Sequence, residues 1–205
     1  LTAVEIQHLN NLAAPAIPGP HSHQPLPVPQ MRALITSDMR EHMNSLDPHL
    51  CGYVDDRWNI LAANQIYADA FPGLLDVTNV LVWFFTDPHS RITMLEWEDE
   101  ARLTVNWFRW HMGHYGNPAW AQDLLATLSP NTEFRNMWLA EQVEFTRHQP
   151  LMHLRDDAGN PYSVNVKITN VPGIDAPFQL FVGVKQPFSG PEHLLHAPRT
   201  HPAHH

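Results

Sequence analysis

Apolar residues recur along this chain with two periods. Met31, Leu34, Ile35, Met39, His42, Met43 and Leu46 repeat at three and four, which predicts one helix over residues 30–46, closed by Asp47-Pro48. Residues 52–58 and 59–63 read as two short strands around a turn at Asp55-Asp56, and residues 66–71 as a short helix stopped by Pro72-Gly73. Asp87-Pro88 is a helix start, with Asp as N-cap and Pro in the first turn. A helical region runs from there to about Met112, with Ala101, Val105, Phe108 and Met112 on one stripe and Gly113 and Gly116 ending it. Asn117-Pro118 opens the next helix, with Leu124, Leu125 and Leu128 inward. Ser129-Pro130 opens another, carrying Phe134, Met137, Trp138 and Val143.

The period then falls to two. Residues 151–155 are a candidate strand, followed by a turn over 156–161. Tyr162, Val164, Val166 and Ile168 alternate with Ser163, Asn165, Lys167 and Thr169, the signature of a half-buried strand. Phe178, Leu180, Val182 and Val184 repeat it after Pro172-Gly173, so 162–168 and 178–184 are expected side by side and antiparallel. Two early strands, a helical middle and three late strands predict an α+β fold. Its core is a five-stranded antiparallel sheet with helices packed on one face, plus N-terminal helices.

The ends read differently. Thr2 and Glu5 form a capping box ahead of Ile6, Leu9 and Leu12, which predicts a helix over 1–14. Pro15, Pro18, Pro20, Pro25, Pro27 and Pro29 make residues 15–29 a linker, too rich in proline for helix or inner strand. A domain over 30–188 follows. Residues 189–205, rich in His and without periodicity, are expected to be a disordered tail.

Composition narrows the function. The 205 residues suit one domain with an appendage. Twelve basic against 21 acidic residues give a net charge of −9, and no run of three Lys or Arg occurs. Gripping DNA needs a basic footprint, so the fragment is not expected to bind it alone. The lone Cys51 rules out an internal disulfide and fits a reducing cytoplasm. No signal peptide opens the chain, and no apolar run of about 18 residues offers a membrane span.

Candidate chemistry is sparse. His111 and His114 have helical ligand spacing but lack a third partner nearby, so no metal is expected. Glu96, Glu98, Asp99 and Glu100 read as a solvated helix face around Trp97 rather than as an acid/base pair. Neither Gly-x-Ser-x-Gly nor Gly-x-Gly-x-x-Gly occurs, and neither an enzyme nor a cofactor is expected.

Aromatic residues supply the positive signal. Seven Trp are many for this length. Tyr67, Phe71, Trp83, Phe84, Phe85, Trp97, Trp107, Phe108, Trp110, Phe134 and Trp138 read first as core. Their number, however, exceeds what a small core needs, which favours an apolar cavity as well. Two polar side chains stand beside them. Arg109 follows Phe108 and offers a bidentate cation to an acidic head, or else forms an ion pair with Glu133 or Glu141. Asn64 ends the second strand, where its amide can turn inward. The candidate ligand-binding set is therefore Asn64, Tyr67, Phe71, Trp97, Val105, Phe108, Arg109, Met112, Phe134, Trp138 and Val166.

Several short stretches in order carry a resemblance. They are Glu5, His8, Leu9 and Leu12; Asn59-Ile60-Leu61-Ala62-Ala63-Asn64; residues 79–88; Trp97; Val105-Asn106-Trp107-Phe108-Arg109; Leu128-Ser129; Glu133-Phe134; Met137-Trp138; and a strand near Phe181. Together they resemble the ligand-binding half of the MmyB-like transcription regulators, helix-turn-helix proteins of the XRE type. The likeness runs over about residues 1–187. It implies a PAS-like fold, a small apolar ligand such as a fatty acid, and DNA contact only through an N-terminal domain outside this chain. The first residue, Leu rather than Met, fits that expectation. The chain departs from the family's pattern at Gln149-Pro150-Leu151-Met152-His153-Leu154, in place of a His-Pro-x-Val-Gly-like strand start. The rival reading is a ligand-free interaction module, a homodimer held through Met31, Met39 and Met43.

Overall fold

The structure is a computed structural model that describes residues 26–140, 151–174 and 176–196. The helix expected over 1–14, most of the proline linker and Val143 lie outside the described residues. The described chain opens with α1 (Val28–Ala33) and α2 (Ser37–Asn44), then strands β1 (Leu50–Asp55) and β2 (Ile60–Ala63). Helices α3 (Gln65–Ala70), α4 (Leu74–Val77), α5 (Val80–Thr86) and α6 (His89–Thr93) follow. The long α7 (Trp97–His114), then α8 (Ala119–Leu128) and α9 (Thr132–Leu139), complete the helical middle. Strands β3 (Leu151–Arg155), β4 (Pro161–Asn170) and β5 (Phe178–Pro187) close the fold, with a 3-10 turn at Glu192–His196.

The five strands form one antiparallel sheet in the order β2-β1-β5-β4-β3. This is the α+β, PAS-like arrangement expected from the sequence. The two alternating segments pair as anticipated, with Val166 opposite Gly183 and Ile168 opposite Phe181. Gly183 is required at the sheet centre. A Cβ there would come within 2.8 Å of Val164 and 3.1 Å of Leu50.

Alternation splits the sheet into two faces. Leu50, Val54, Ile60, Met152, Leu154, Val164 and Phe181 meet α3 to α9 in the main core. Cys51, Tyr53, Leu61 and Phe178 face the other way and are covered by Met31, Ile35 and Met43 of the N-terminal helices. The methionines considered as a dimer contact therefore pack on the sheet, Met31 at 0% and Met43 at 3% exposure.

Several boundaries differ from the sequence reading, which does not include helices α4 and α5. The helix expected over 30–46 is two helices, because Thr36 accepts the Met39 amide and caps a new start. Both pieces keep their apolar residues on the same face, so the period runs through the break. Pro29, expected in the linker, sits in the first turn of α1, where no amide is needed. The helical region expected from Asp87 is interrupted at Met94–Glu96, where Met94 bridges Leu154 and the Leu95 amide donates to the His153 carbonyl. Finally, Ser189 and Leu194, expected in a mobile tail, are tied down. The Ser189 amide donates to the Ser163 hydroxyl at 2.9 Å, and Leu194 is buried. Residues 197–205 lie outside the described residues.

Candidate functional site: a cleft at the start of the long helix

The interruption at Met94–Glu96 makes the site. It swings the start of α7 against the end of β3 and leaves a cleft of about 540 Å³ between α6, α7, α9 and Arg155. That size lies within the usual range of small-molecule sites, roughly 300–1,000 Å³.

Trp97 is the floor, and its position is over-determined. Its indole N–H donates to the Ser90 hydroxyl at 3.0 Å. Ser90 is fully buried and donates to the carbonyls of Asp87, at 2.8 Å, and Phe84, at 3.1 Å. Phe84 and Phe85 of α5 meet the indole edge-on, with centroids 6.3 and 5.8 Å away. On the open side the Arg91 guanidinium lies 3.4 Å from the ring centroid, a cation–π contact. Met94 and Met137 complete the apolar lining.

The rim is charged. Arg91 also pairs with Glu133 of α9, and Arg102 pairs with Glu98 one turn back on α7. Arg155 closes the side nearest the sheet. Three arginines thus face two carboxylates around an apolar floor, in a chain whose overall charge is −9.

Arg109 holds the wall from behind. Its guanidinium donates to the carbonyls of Met137 at 2.9 Å, Ala140 at 3.0 Å, and Trp138. These are the orphan acceptors at the C-terminal end of α9, where a cation is favoured. The ring of Trp138 lies 5.3 Å from the same guanidinium. Its sequence-level alternative, a pair with Glu133, is not formed, since Glu133 is on Arg91; Glu141 lies outside the described residues.

The other expected site residues divide between two aromatic packs and a cap. Phe108 and Phe134 are fully buried and both meet Trp138, at 5.4 and 5.8 Å. Val105 is buried with them, and Met112 and Val166 pack against the same core. Tyr67 and Phe71 meet at a tilt, and they meet Phe181 and Trp83 edge-on. Asn64 is spent on four structural hydrogen bonds. Its oxygen accepts from the amides of Tyr67 and Cys51, and its nitrogen donates to Asp47 and to the His49 carbonyl. Of the eleven residues, Trp97 lines the cleft, and Arg109 touches two residues that do.

The chain matches the family model described as the MmyB-like transcription regulator ligand binding domain over residues 35–192. It belongs to that family. No curated protein matches it significantly. An MmyB-like ligand-binding domain is a regulatory part of a transcription regulator. Among the described residues no three His, Cys, Asp or Glu side chains gather as metal ligands, and no helix is long and apolar enough to cross a membrane. His114 stacks on Trp110 at 4.6 Å, and His111 is buried against Trp58.

Sequence reasoning missed Arg91, Arg102, Arg155 and Glu133 as cleft residues. Arg91 and Glu133 are 42 positions apart, and no local period joins them. A usable signal was the scarcity of cations, only 12 in the chain, which makes three at one cleft unusual.

Proposed function

We propose that this domain senses a small amphipathic molecule, apolar in its body and acidic at one end, with a fatty acid as the type. The observation behind the reading is the cleft itself: Trp97, Met94 and Met137 below, and Arg91, Arg102 and Arg155 at the mouth. A carboxylate among arginines gains charge-assisted bonds, each worth about 1.5–3 kcal/mol. The apolar floor takes the chain. Occupancy shifts the population of domain conformations, and the N-terminal helices pass the shift to an XRE-type DNA-binding half. Such a regulator works in the cytoplasm and reaches DNA through that half.

The test is a calorimetric binding titration with native mass spectrometry, with tetradecanoate against tetradecanol. Wild type is expected to prefer the acid. Arg155→Ala is expected to weaken the acid roughly tenfold or more and to leave the alcohol nearly unchanged. Failure of both compounds to bind removes the fatty-acid reading. Equal weakening of both shows that Arg155 shapes the cleft rather than reading charge.

A further inference from the structure

Helix α1 precedes the first residue of the family match, yet it is docked on the domain, by Arg32, which donates to the Ile60 carbonyl, and by a side chain that reaches up from the β1–β2 turn. Arg57 is 8% exposed, and its guanidinium faces two ways. Toward the sheet, Nε donates to Asp55 Oδ2 at 3.2 Å. Toward α1, Nη2 donates to the Leu26 carbonyl at 2.9 Å and lies 3.6 Å from the Met31 sulfur. Met31 is itself fully buried against the sheet, so the clasp holds the most deeply buried side chain of α1.

The clasp is built into a wider network. Asp55 also accepts the backbone and side-chain nitrogens of Asn59, both at 2.8 Å. Asn79, the N-cap of α5, donates to the Arg57 carbonyl and to Asn59 Oδ1, both at 2.9 Å. Its own oxygen accepts the Val82 amide. At the far end of α5, Phe84 and Phe85 pack on Trp97, and the Phe85 carbonyl accepts from Asn131, the N-cap of α9. One seven-residue helix, about 10 Å long at 1.5 Å per residue, thus touches the cleft floor at one end and the α1 clasp at the other.

We propose that Arg57 is a positioning residue that docks α1, and that α5, through Asn79, sets whether the clasp can close. The mechanical part stands on the contacts above. Its purpose, reporting the cleft to the segment upstream, rests on the sensing function. Adjacency in space is not coupling, so the test must separate selective release of α1 from general loosening.

Amide hydrogen exchange on the 205-residue chain does this with three variants. Arg57→Lys keeps a charge beside Asp55 but loses the fork that spans Asp55 and Leu26. Asn79→Ser keeps an N-cap acceptor and loses both donated bonds. Leu128→Ala, in α8, weakens the main core away from the clasp. Protection over 26–34 is expected to fall about tenfold or more in Arg57→Lys and Asn79→Ser while β4 and β5 stay protected. In Leu128→Ala all segments are expected to lose protection together. Unchanged protection of α1 in Arg57→Lys overturns the clasp, as does a loss only in step with the sheet. Release by Arg57→Lys but not by Asn79→Ser overturns the α5 link. A final arm adds tetradecanoate, with occupancy read by native mass spectrometry. Bound tetradecanoate is expected to change α1 exchange in wild type and not in Arg57→Lys. Bound ligand with no change in wild type overturns the reporting role. If tetradecanoate does not bind, the fatty-acid reading fails and the ligand-free arms still decide the clasp.

Discussion

The two faces of the sheet are closed by different kinds of chemistry. On the helical face, aromatic rings interlock, mostly edge to face, from Tyr67 through Phe71, Trp83, Phe84 and Trp97 to Phe85, Phe134, Trp138 and Phe108. Such rings bury large areas and gain from their mutual geometry. On the other face a thin layer of Met31, Ile35 and Met43 covers Cys51, Tyr53, Leu61 and Phe178. Polar tethers hold that layer. Arg32 donates to the Ile60 carbonyl, the Tyr53 hydroxyl to the Met39 carbonyl, and Arg57 to the Leu26 carbonyl. A thick interlocked side suits a fixed cleft. A thin tethered side suits a cover that can shift without unfolding the domain.

The largest expected effect tests the thick side. Phe134 is fully buried between Phe85 and Trp138, so Phe134→Ala is expected to cost about 3–5 kcal/mol in urea denaturation. Met43→Ala on the thin side is expected to cost about 2 kcal/mol, because few large rings surround the gap it leaves. Equal costs would erase the distinction between the faces.

The helical side also carries an acid-sensitive group. Burial, with a smaller push from His114, lowers the His111 pKa from 6.5 to about 4. The folded state then binds fewer protons than the unfolded chain between those values. Stability from this group is full above pH 6.5 and is lost as pH falls toward 4. Asp56 works the opposite way. Burial first, then the neighbouring Asp55, raises it from 3.8 to about 6, so its contribution is full below 3.8 and lost as pH rises through 6. The two slopes oppose each other over nearly the same window. His111→Phe isolates one of them. The stability of wild type relative to this variant is expected to fall by about 2 kcal/mol between pH 6.5 and 4 and to stay level above 6.5. A flat difference across the window would show that His111 does not control the acid limb.

The sheet was legible because its signal is local. Tyr162, Val164 and Val166 point to one side of a single strand, and a period of two requires only that strand. Helix breaks were less legible. Ile35, Met39 and Met43 keep one stripe across the Thr36 cap, so periodicity runs straight through it. Met94 looks like one more apolar helical residue, and only its bridge to Leu154 explains the break. The aromatic surplus suggested a hollow, yet Phe108, Phe134 and Trp138 fill one another's space. The hollow lies at one end, beside Trp97, whose ring Arg91 covers. Its cations come from α6, α7 and β3, and no sequence pattern could assemble them.

Arg109 marks the finest difference between the two regions, since its sequence context suited a head-group cation and its geometry suits a wall. All three of its carbonyl partners belong to the last turn of α9 and the residue after it. An arginine spent on three acceptors has little left to offer a carboxylate. Arg109→Ala should free Met137 and Ala140, both of which line the cleft, and loosen the wall. The expected stability loss is about 1–2 kcal/mol, less than for Phe134→Ala because the site is half-buried and water can satisfy the carbonyls. Binding of tetradecanoate and tetradecanol should weaken by similar factors, a few-fold each, since the cleft changes shape without losing a rim charge. Arg155→Ala should instead separate the two compounds. If Arg109→Ala weakened the acid tenfold more than the alcohol, the guanidinium would have to leave the α9 carbonyls on binding, and the wall would be a moving part of the site.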